Sequence, residues 1–440
     1  MLDIRFIRDH ADEVKDAARR KNLDPGVIDE LLDVDRRRRE LMTKLESVRA
    51  EQKRAKDRET GTRLKEEFKK LADEGDEAGI EKKFNELMAR VPNIIAPDVP
   101  VGRDESENKE VFRWVPGTGA LKPEDDMRTP PPSRLDFAPK NHMELGTALD
   151  ILDFEAGTKV GGFRGYYLKN DGVLLAMGVM MYAVKKMVEK GYRPMIPPTL
   201  VKEFALFGTG YFKGTEYDPS VDEIYQIATS DKEASGEASK DRKFLVGTAE
   251  PSLLAYYADE VLEGTGLPIR HSGYSQCYRS EIGSYGKDVK GMYRVHEFMK
   301  VEQVVLAPAD LELAGRLQEE MVGISGEMHE ELGLPYRRLL ICTGDLGAGK
   351  YKQFDTEAWL PGMNRWAETG SASNFLDWQS RRLNVKYVDQ AGEKKFVYML
   401  NNTALPSPRI FIAILENYQT KDGRVAVPKV LQPYVGKDLI

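Results

Sequence analysis

Between Val27 and Val91 the sequence leaves few choices of fold. Glycine is absent from Val27 through Glu59, charged residues dominate, and apolar residues recur as Leu41, Leu45 and Val48, then past Thr60-Gly61-Thr62 as Leu64, Phe68 and Leu71. Ile80, Phe84, Leu87 and Val91 continue the series. Steps of four and three put these side chains on a narrow helical seam, and a seam needs a second helix to cover it. One break between two such seams reads as an antiparallel helical hairpin, with its turn at Thr60-Gly61-Thr62. Gly75 and Gly79 interrupt the second helix. Periodicity alone leaves a solvated charged bundle as an equal alternative. Against that bundle stand the cations: Arg36 to Arg39 and Gln52-Lys53-Arg54-Ala55-Lys56 line the first helix with charge that a spacer does not need.

The whole chain has 440 residues, and at roughly 150 residues per domain it holds about two or three. Lys+Arg 65 against Asp+Glu 72 gives a formal net charge of −7, so the molecule as a whole lacks the basic excess of a nucleic-acid binder. Where the charges sit matters more than their sum, since cations gather on the hairpin and on the segment Lys287 to Arg294. Charged residues at 31% and hydrophobic residues at 41% fit a globular enzyme with a solvent-rich helical appendage. Two cysteines, Cys277 and Cys342, exclude a disulfide framework and fit a reducing compartment. Five scattered histidines offer no zinc-site spacing, so no zinc is expected. The segment Met1 to His10 lacks the apolar core of a signal peptide. The run Val173 to Val184 is well short of the roughly twenty apolar residues that span a bilayer. A soluble, cytoplasmic protein without membrane contact is expected.

Pro92-Asn93 ends the hairpin. Residues 1–100 read as an N-terminal unit containing it (about 27–91), and 101–134, rich in proline, as a linker with little regular structure. Residues 135–440 read as a second domain. There, helical patterns (Gly172 to Lys190, Pro308 to Leu332) mix with β-rich runs (Ile269 to Tyr278, Arg337 to Cys342, Phe396 to Leu400). Strand and helix do not alternate regularly, so an α+β domain with a mixed or antiparallel sheet is expected.

Gly344-Asp345-Leu346-Gly347-Ala348-Gly349-Lys350 satisfies the spacing of a phosphate-cradling loop, but Tyr351 follows where a Ser or Thr would hold magnesium. Lys352-Gln353-Phe354-Asp355 then reads as extended chain, not as a helix N-terminus. A glycine-rich connection between strands is the better reading.

The richest stretch is Cys277 to Glu302. A β-rich approach is expected to put Arg279 and Glu281 on one strand face, since i and i+2 share a face. A glycine-punctuated basic loop follows, and a returning strand presents Phe298, Lys300 and Glu302. An arginine on a rigid strand suits a phosphate, and a ring beside it suits a base. Taken alone, the stretch is equally well a surface hairpin with cross-strand ion pairs.

Arg279-Ser280-Glu281 with Arg294-Val295-His296-Glu297-Phe298 resembles the second signature motif of class II aminoacyl-tRNA synthetases, in the form used by seryl-tRNA synthetases. Gly191-Tyr192-Arg193-Pro194-Met195-Ile196-Pro197-Pro198 resembles the first, dimer-forming motif, and Gly247-Thr248-Ala249-Glu250 the serine-site segment. Arg409 with Ala413-Ile414-Leu415-Glu416-Asn417-Tyr418-Gln419 resembles the third. The resemblance spans nearly the whole chain, with the hairpin as the family's tRNA-binding coiled-coil arm and the second domain as its catalytic domain, a mainly antiparallel sheet flanked by helices.

This resemblance implies a homodimer that joins L-serine to tRNA(Ser) through a seryl-adenylate, using ATP with Mg2+, and that extends to selenocysteine tRNA. It implies catalytic roles for Arg279, Glu281 and Arg409. ATP contacts fall to Arg279, Ser280, Glu281, Val295, Phe298, Glu368, Thr369, Gly370, Ser371 and Arg409. Serine contacts fall to Thr248, Ala249, Glu250, Arg279, Glu302 and Thr403, and magnesium ligation to Glu368 and Ser371. Two segments depart from the family: Gly370 supplies no hydroxyl where one is common, and Pro406-Ser407-Pro408 is stiffer than the usual small residues. These departures motivate the alternative, a synthetase-like tRNA- or nucleotide-binding protein with impaired catalysis.

Overall fold

The protein is described here by a computed structural model, which covers residues 1–77, 79–122, 125, 131, 134–228, 242–282 and 291–440. The chain opens with α1 (Ile4–Asp9) and α2 (Ala11–Arg20), then α3 (Gly26–Arg54), α4 (Arg58–Glu77) and α5 (Ile80–Arg90). The 29 residues of α3 extend about 43 Å at the helical rise. Its base is a small core, in which Ile7 and Val14 pack with Ile28, Leu31, Phe84, Leu87 and Val91. Farther out α3 lies against α4, with Val48 and Leu64 buried between them.

The turn falls earlier than expected. Asp57 accepts the Thr60 amide on Oδ1 at 2.7 Å and the Gly61 amide on its carbonyl at 3.2 Å. An acidic residue capping the first turn outweighs the helix-weakening Gly61, which sits inside α4. Gly79, at φ +59°, does separate α4 from α5. Gly75 does not interrupt: a Cβ there would stand 2.5 Å from Leu41 Cδ2, so glycine lets the two helices close.

The arginine run is not a bare cationic track. Arg36 and Arg37 pair with Asp33, Arg38 with Glu81, and Arg39 with Asp35. Near the turn, by contrast, Lys53, Arg54, Lys56 and Arg58 are exposed.

The second unit is built on one nine-stranded sheet. In chain order its strands are β1 (Lys109–Val115), β2 (Gly119–Leu121), β3 (Arg193–Met195), β4 (Ile269–Tyr278) and β5 (Glu297–Ala307). They continue as β6 (Tyr336–Leu340), β7 (Lys352–Leu360), β8 (Arg365–Asn374) and β9 (Tyr398–Pro406). The spatial order is β2-β1-β6-β7-β8-β9-β5-β4-β3, antiparallel throughout except for β4 with β3. Part of the expected linker is therefore sheet: β1 pairs with β6 from Lys109↔Leu340 to Trp114↔Tyr336. Its alternation of Val111, Arg113 and Val115 with Phe112 and Trp114 is a strand pattern that the neighbouring prolines obscure. Within the linker, 123–124, 126–130 and 132–133 lie outside the described residues.

Three helices complete the core: α6 (Asn170–Glu189), α7 (Leu311–Glu331) and α8 (Ser407–Asn417). Every residue from Ile410 to Leu415 is fully buried, so α8 is covered all round, which fixes where its first turn points. Strands β8 and β9 pair only at Ala372↔Asn402, Ser373↔Asn401 and Asn374↔Leu400. Beyond these pairs the two strands carry no ladder, and a cleft occupies that side of the sheet.

Candidate active site

The β4–β5 hairpin brings the first site residues in. Register pairs Cys277 with Phe298 and Gly273 with Glu302. Strand β4 ends at Tyr278, so Arg279 and Glu281 lie beyond it, and Glu281 adopts φ +54°. The expected shared strand face is thus absent, because the strand stops short of both residues. Both side chains nevertheless reach one cleft. The Arg279 guanidinium lies 5.5 Å from the centre of the Phe298 ring, and its Nε donates to Gly247 O at 3.3 Å. Glu281 Oε2 faces Arg294 at 3.2 Å and Arg164 at 3.7 Å. The basic tip from Lys287 to Lys290 lies outside the described residues.

Opposite stands the start of α8. Arg409 Nη1 lies 3.2 Å from Glu368 Oε2 and donates to the Glu368 carbonyl at 2.9 Å. The Tyr293 ring lies against both Arg409 and Arg365, each 4.6 Å from its centre. Pro408 occupies the first turn of α8, where a missing N–H costs nothing. Gly370 answers the other departure, since a Cβ there would come 3.1 Å from Thr403 O across the cleft floor. The lining comprises Arg279, Glu281, Val295, Phe298, Glu368, Thr369, Gly370, Thr403 and Arg409 from the expected set, with Tyr293, Arg294, Lys300, Pro406 and Pro408 besides. The Thr369 hydroxyl does not serve it. It bonds His329 Nε2 at 2.8 Å and approaches Thr356 O at 3.2 Å, inside the protein. The Ser280 hydroxyl is buried, without a hydrogen-bond partner among the described residues.

Ser371, expected in the site, is not part of this lining, but beside the cleft, next to Glu368, oxygens gather. Asp355 on β7 is paired in register with Ser371 on β8, and Gln353 Nε2 donates to Asp355 Oδ1 at 2.7 Å and Ser371 Oγ at 3.0 Å. Burial, and then the charge of Glu368, push the Asp355 carboxyl up to about 7. Burial also acts to raise Glu368, but Arg409 and Arg279 hold it below the usual carboxylate range. Partly buried carboxyls crowded beside a hydroxyl are a donor set for a hard, oxygen-seeking divalent cation. Among the described residues no three His, Cys, Asp or Glu side chains gather as a self-sufficient metal cage, so phosphate oxygens would have to complete the shell.

A smaller polar pocket adjoins Arg279. Glu302 Oε2 takes Lys300 Nζ at 2.6 Å and the Thr403 hydroxyl at 3.4 Å, while Lys300 also donates to Thr403 Oγ1 at 3.2 Å. Thr248 and Ala249 are buried at the start of the helix Glu250–Ala255. The Glu250 carboxylate accepts from Tyr211 OH at 2.8 Å and Gln379 Nε2 at 2.7 Å, and burial, then Glu302, raise its pKa. Lys300, Tyr211, Gln379, Asp355 and His329 were not assigned to the site from the sequence. Lys300 could have been, because it shares the Phe298–Glu302 strand face.

Residues 232–418 match the model of the tRNA synthetase class II core domain (G, H, P, S and T). With the sheet order and the two arginines facing across one cleft, this defines a class II aminoacyl-tRNA synthetase catalytic domain. Residues 1–95 match the seryl-tRNA synthetase N-terminal domain. The chain is 37% identical to the serine–tRNA ligase of Rubrobacter xylanophilus, covering 100% of this chain and 99% of that one. It is also 37% identical to the serine–tRNA ligase of Treponema denticola, covering 100% of both. It is similar in structure to the seryl-tRNA synthetase of Pyrococcus horikoshii complexed with ATP (TM-score 0.87, 33% identity, 100% of this chain and 99% of that one). The cytoplasmic serine–tRNA ligase of Naegleria fowleri in complex with AMP is likewise similar (TM-score 0.85, 30% identity, 100% and 98%). The chain belongs to the seryl-tRNA synthetase family.

Proposed function

We propose that this chain ligates L-serine to tRNA(Ser) at the expense of ATP, through a seryl-adenylate. The observation that carries the reading is the convergence of Arg279, Phe298, Glu368 and Arg409 on one cleft. In this assignment Phe298 stacks on adenine, Val295 lines the nucleotide site and Arg409 holds the γ-phosphate. Arg279 bridges the α-phosphate and the serine carboxylate, so charge is offset as the carboxylate attacks and pyrophosphate leaves. Glu368 and Ser371 would hold Mg2+, with Asp355 paired in register beside Ser371. When bound with ATP, that ion supplies neutralisation of phosphate charge. No proton shuttle is needed, since positioning and charge carry the rate.

Serine's hydroxyl would meet Glu302 and Thr403, and its ammonium Thr248 to Glu250. Buried polar groups left unpaired reject alanine strongly. The exposed cations near the hairpin turn would contact tRNA. Partnering with a second copy is supported by an apolar groove of Met177, Met180, Met181, Val184, Met195 and Ile196, in which Ile196 is 83% exposed. Among the described residues no helix is long and apolar enough to cross a membrane, and a cytoplasmic place suits the reaction. The fits of Gly370 and Pro408 favour this reading over an impaired relative.

ATP–pyrophosphate exchange measured with each amino acid tests the reading. Exchange with serine is expected. Its absence, from folded and dimeric protein, would overturn the assignment.

A further inference from the structure

The glycine-rich segment 344–350 connects β6 to β7, and nucleotide binding leaves it without a task. The N-terminal unit grips it instead. Lys21, the buried residue that ends α2, places Nζ 2.7 Å from the Lys350 carbonyl, 3.0 Å from that of Ala348 and 3.5 Å from that of Gly347. Asn22 donates to Gly344 O at 3.2 Å. Asn93, just past α5, donates its amide N–H to Ala348 O at 2.8 Å and Nδ2 to Gly349 O at 3.0 Å. The junction before α3 and the exit from α5 therefore both hold one short segment of the catalytic domain.

From that segment the contacts run on to the oxygens gathered beside the cleft. Lys350 Nζ donates to Gln353 Oε1 at 2.7 Å. An amide has two unlike ends, an accepting oxygen and a donating nitrogen. A lysine on Oε1 fixes which way Gln353 faces, so Nε2 meets Asp355 and Ser371. Turned over, the amide would set an acceptor against the Asp355 carboxylate. With Ser371 Oγ accepting through one lone pair, its other is left for a cation.

We propose that Lys350 and Gln353 are positioning residues for the divalent cation of the nucleotide site, and that Lys21 makes their placement depend on seating of the N-terminal unit. The proposal rests on the assignment of Glu368 and Ser371 as cation ligands.

The test is Mn2+ binding to the full-length enzyme saturated with ATP, followed by electron paramagnetic resonance, with the KM for serine as a second readout. Lys350→Met is expected to weaken Mn2+ binding about tenfold, as lost outer contacts do at metal sites. Lys350→Arg restores it, and Lys21→Met and Gln353→Leu shift it in the same direction, with the serine KM unmoved. Should Lys21→Met fail to fold, the Lys350 and Gln353 variants still decide. Glu368→Gln separates the two layers. If it leaves Mn2+ binding unchanged, the ligand assignment is wrong and the proposal falls with it. If it weakens Mn2+ while Lys350→Met and Gln353→Leu do not, the assignment stands and the proposal is overturned. Tighter binding in Lys350→Met would also overturn it, because Lys350 would then act only by repelling the cation.

Discussion

Arg409 meets Glu368 twice, its Nη1 standing 3.2 Å from the carboxylate and 2.9 Å from the backbone carbonyl of the same residue. The guanidinium is thus held in place before any phosphate arrives, which lowers the ordering cost of binding. Its charge is secured as well: burial acts against it, and Glu368 more than compensates.

Arg409→Ala should therefore depress serine-dependent exchange by about 10² to 10³, the range for one preorganised electrostatic contact. Most of the loss should fall on the step that uses ATP, with the thermal midpoint little changed. Steady-state kinetics with ATP varied would check this, and near-normal turnover would refute the assigned role.

Thr403→Val keeps the side-chain shape and removes the hydroxyl between Lys300 and Glu302. Discrimination between serine and alanine should fall by about tenfold, the worth of roughly one hydrogen bond. The ratio of kcat/KM for the two amino acids reads this directly, and an unchanged ratio would place the serine hydroxyl elsewhere.

His329 reports on acid stability. It is fully buried under Thr369, and burial lowers its pKa from 6.5 to about 4. The neutral ring is the folded form, so its contribution is complete above pH 6.5 and is lost as pH falls from there through about 4. The whole effect is on the order of 3 kcal/mol. Unfolding of wild type and His329→Gln should accordingly converge as the medium is acidified across that window. Parallel stability curves would mean that the imidazole does not titrate there.

Replacing Lys53, Arg54, Lys56 and Arg58 together by alanine should leave exchange intact while weakening tRNA binding. The slope of log affinity against log salt should also shrink, since fewer counterions are released. Equal damage to exchange and to charging would contradict a separate role for the arm.

The hairpin, β4, α6 and α7 were legible because each repeats its period over many residues: Val48 and Leu64 recur at helical steps, and β4 spans Ile269–Tyr278 as read. What stayed hidden depends on a single residue or on distant neighbours. Asp57 moved the hairpin turn because one cap outranks one glycine. Arg279 and Glu281 fall past the end of β4 at Tyr278, and Glu281 adopts a left-handed φ, which no periodicity reports. Arg36 to Arg39 found acids on their own helix, Asp33 and Asp35, and on α5, Glu81. Resemblance located Glu368 and Arg409. Asp355 and Lys21 acquire their surroundings only when segments far apart in the chain meet.

The short ladder between β8 and β9 has a mechanical consequence. Three register pairs join the two halves of the sheet, and the proposed nucleotide and serine contacts fall on both sides, with Glu368 and Gly370 on one and Thr403 and Arg409 on the other. A substrate making those proposed contacts would bridge a seam that the backbone leaves open, so the laden enzyme should be stiffer than the empty one, and loss of pyrophosphate should let that seam loosen again.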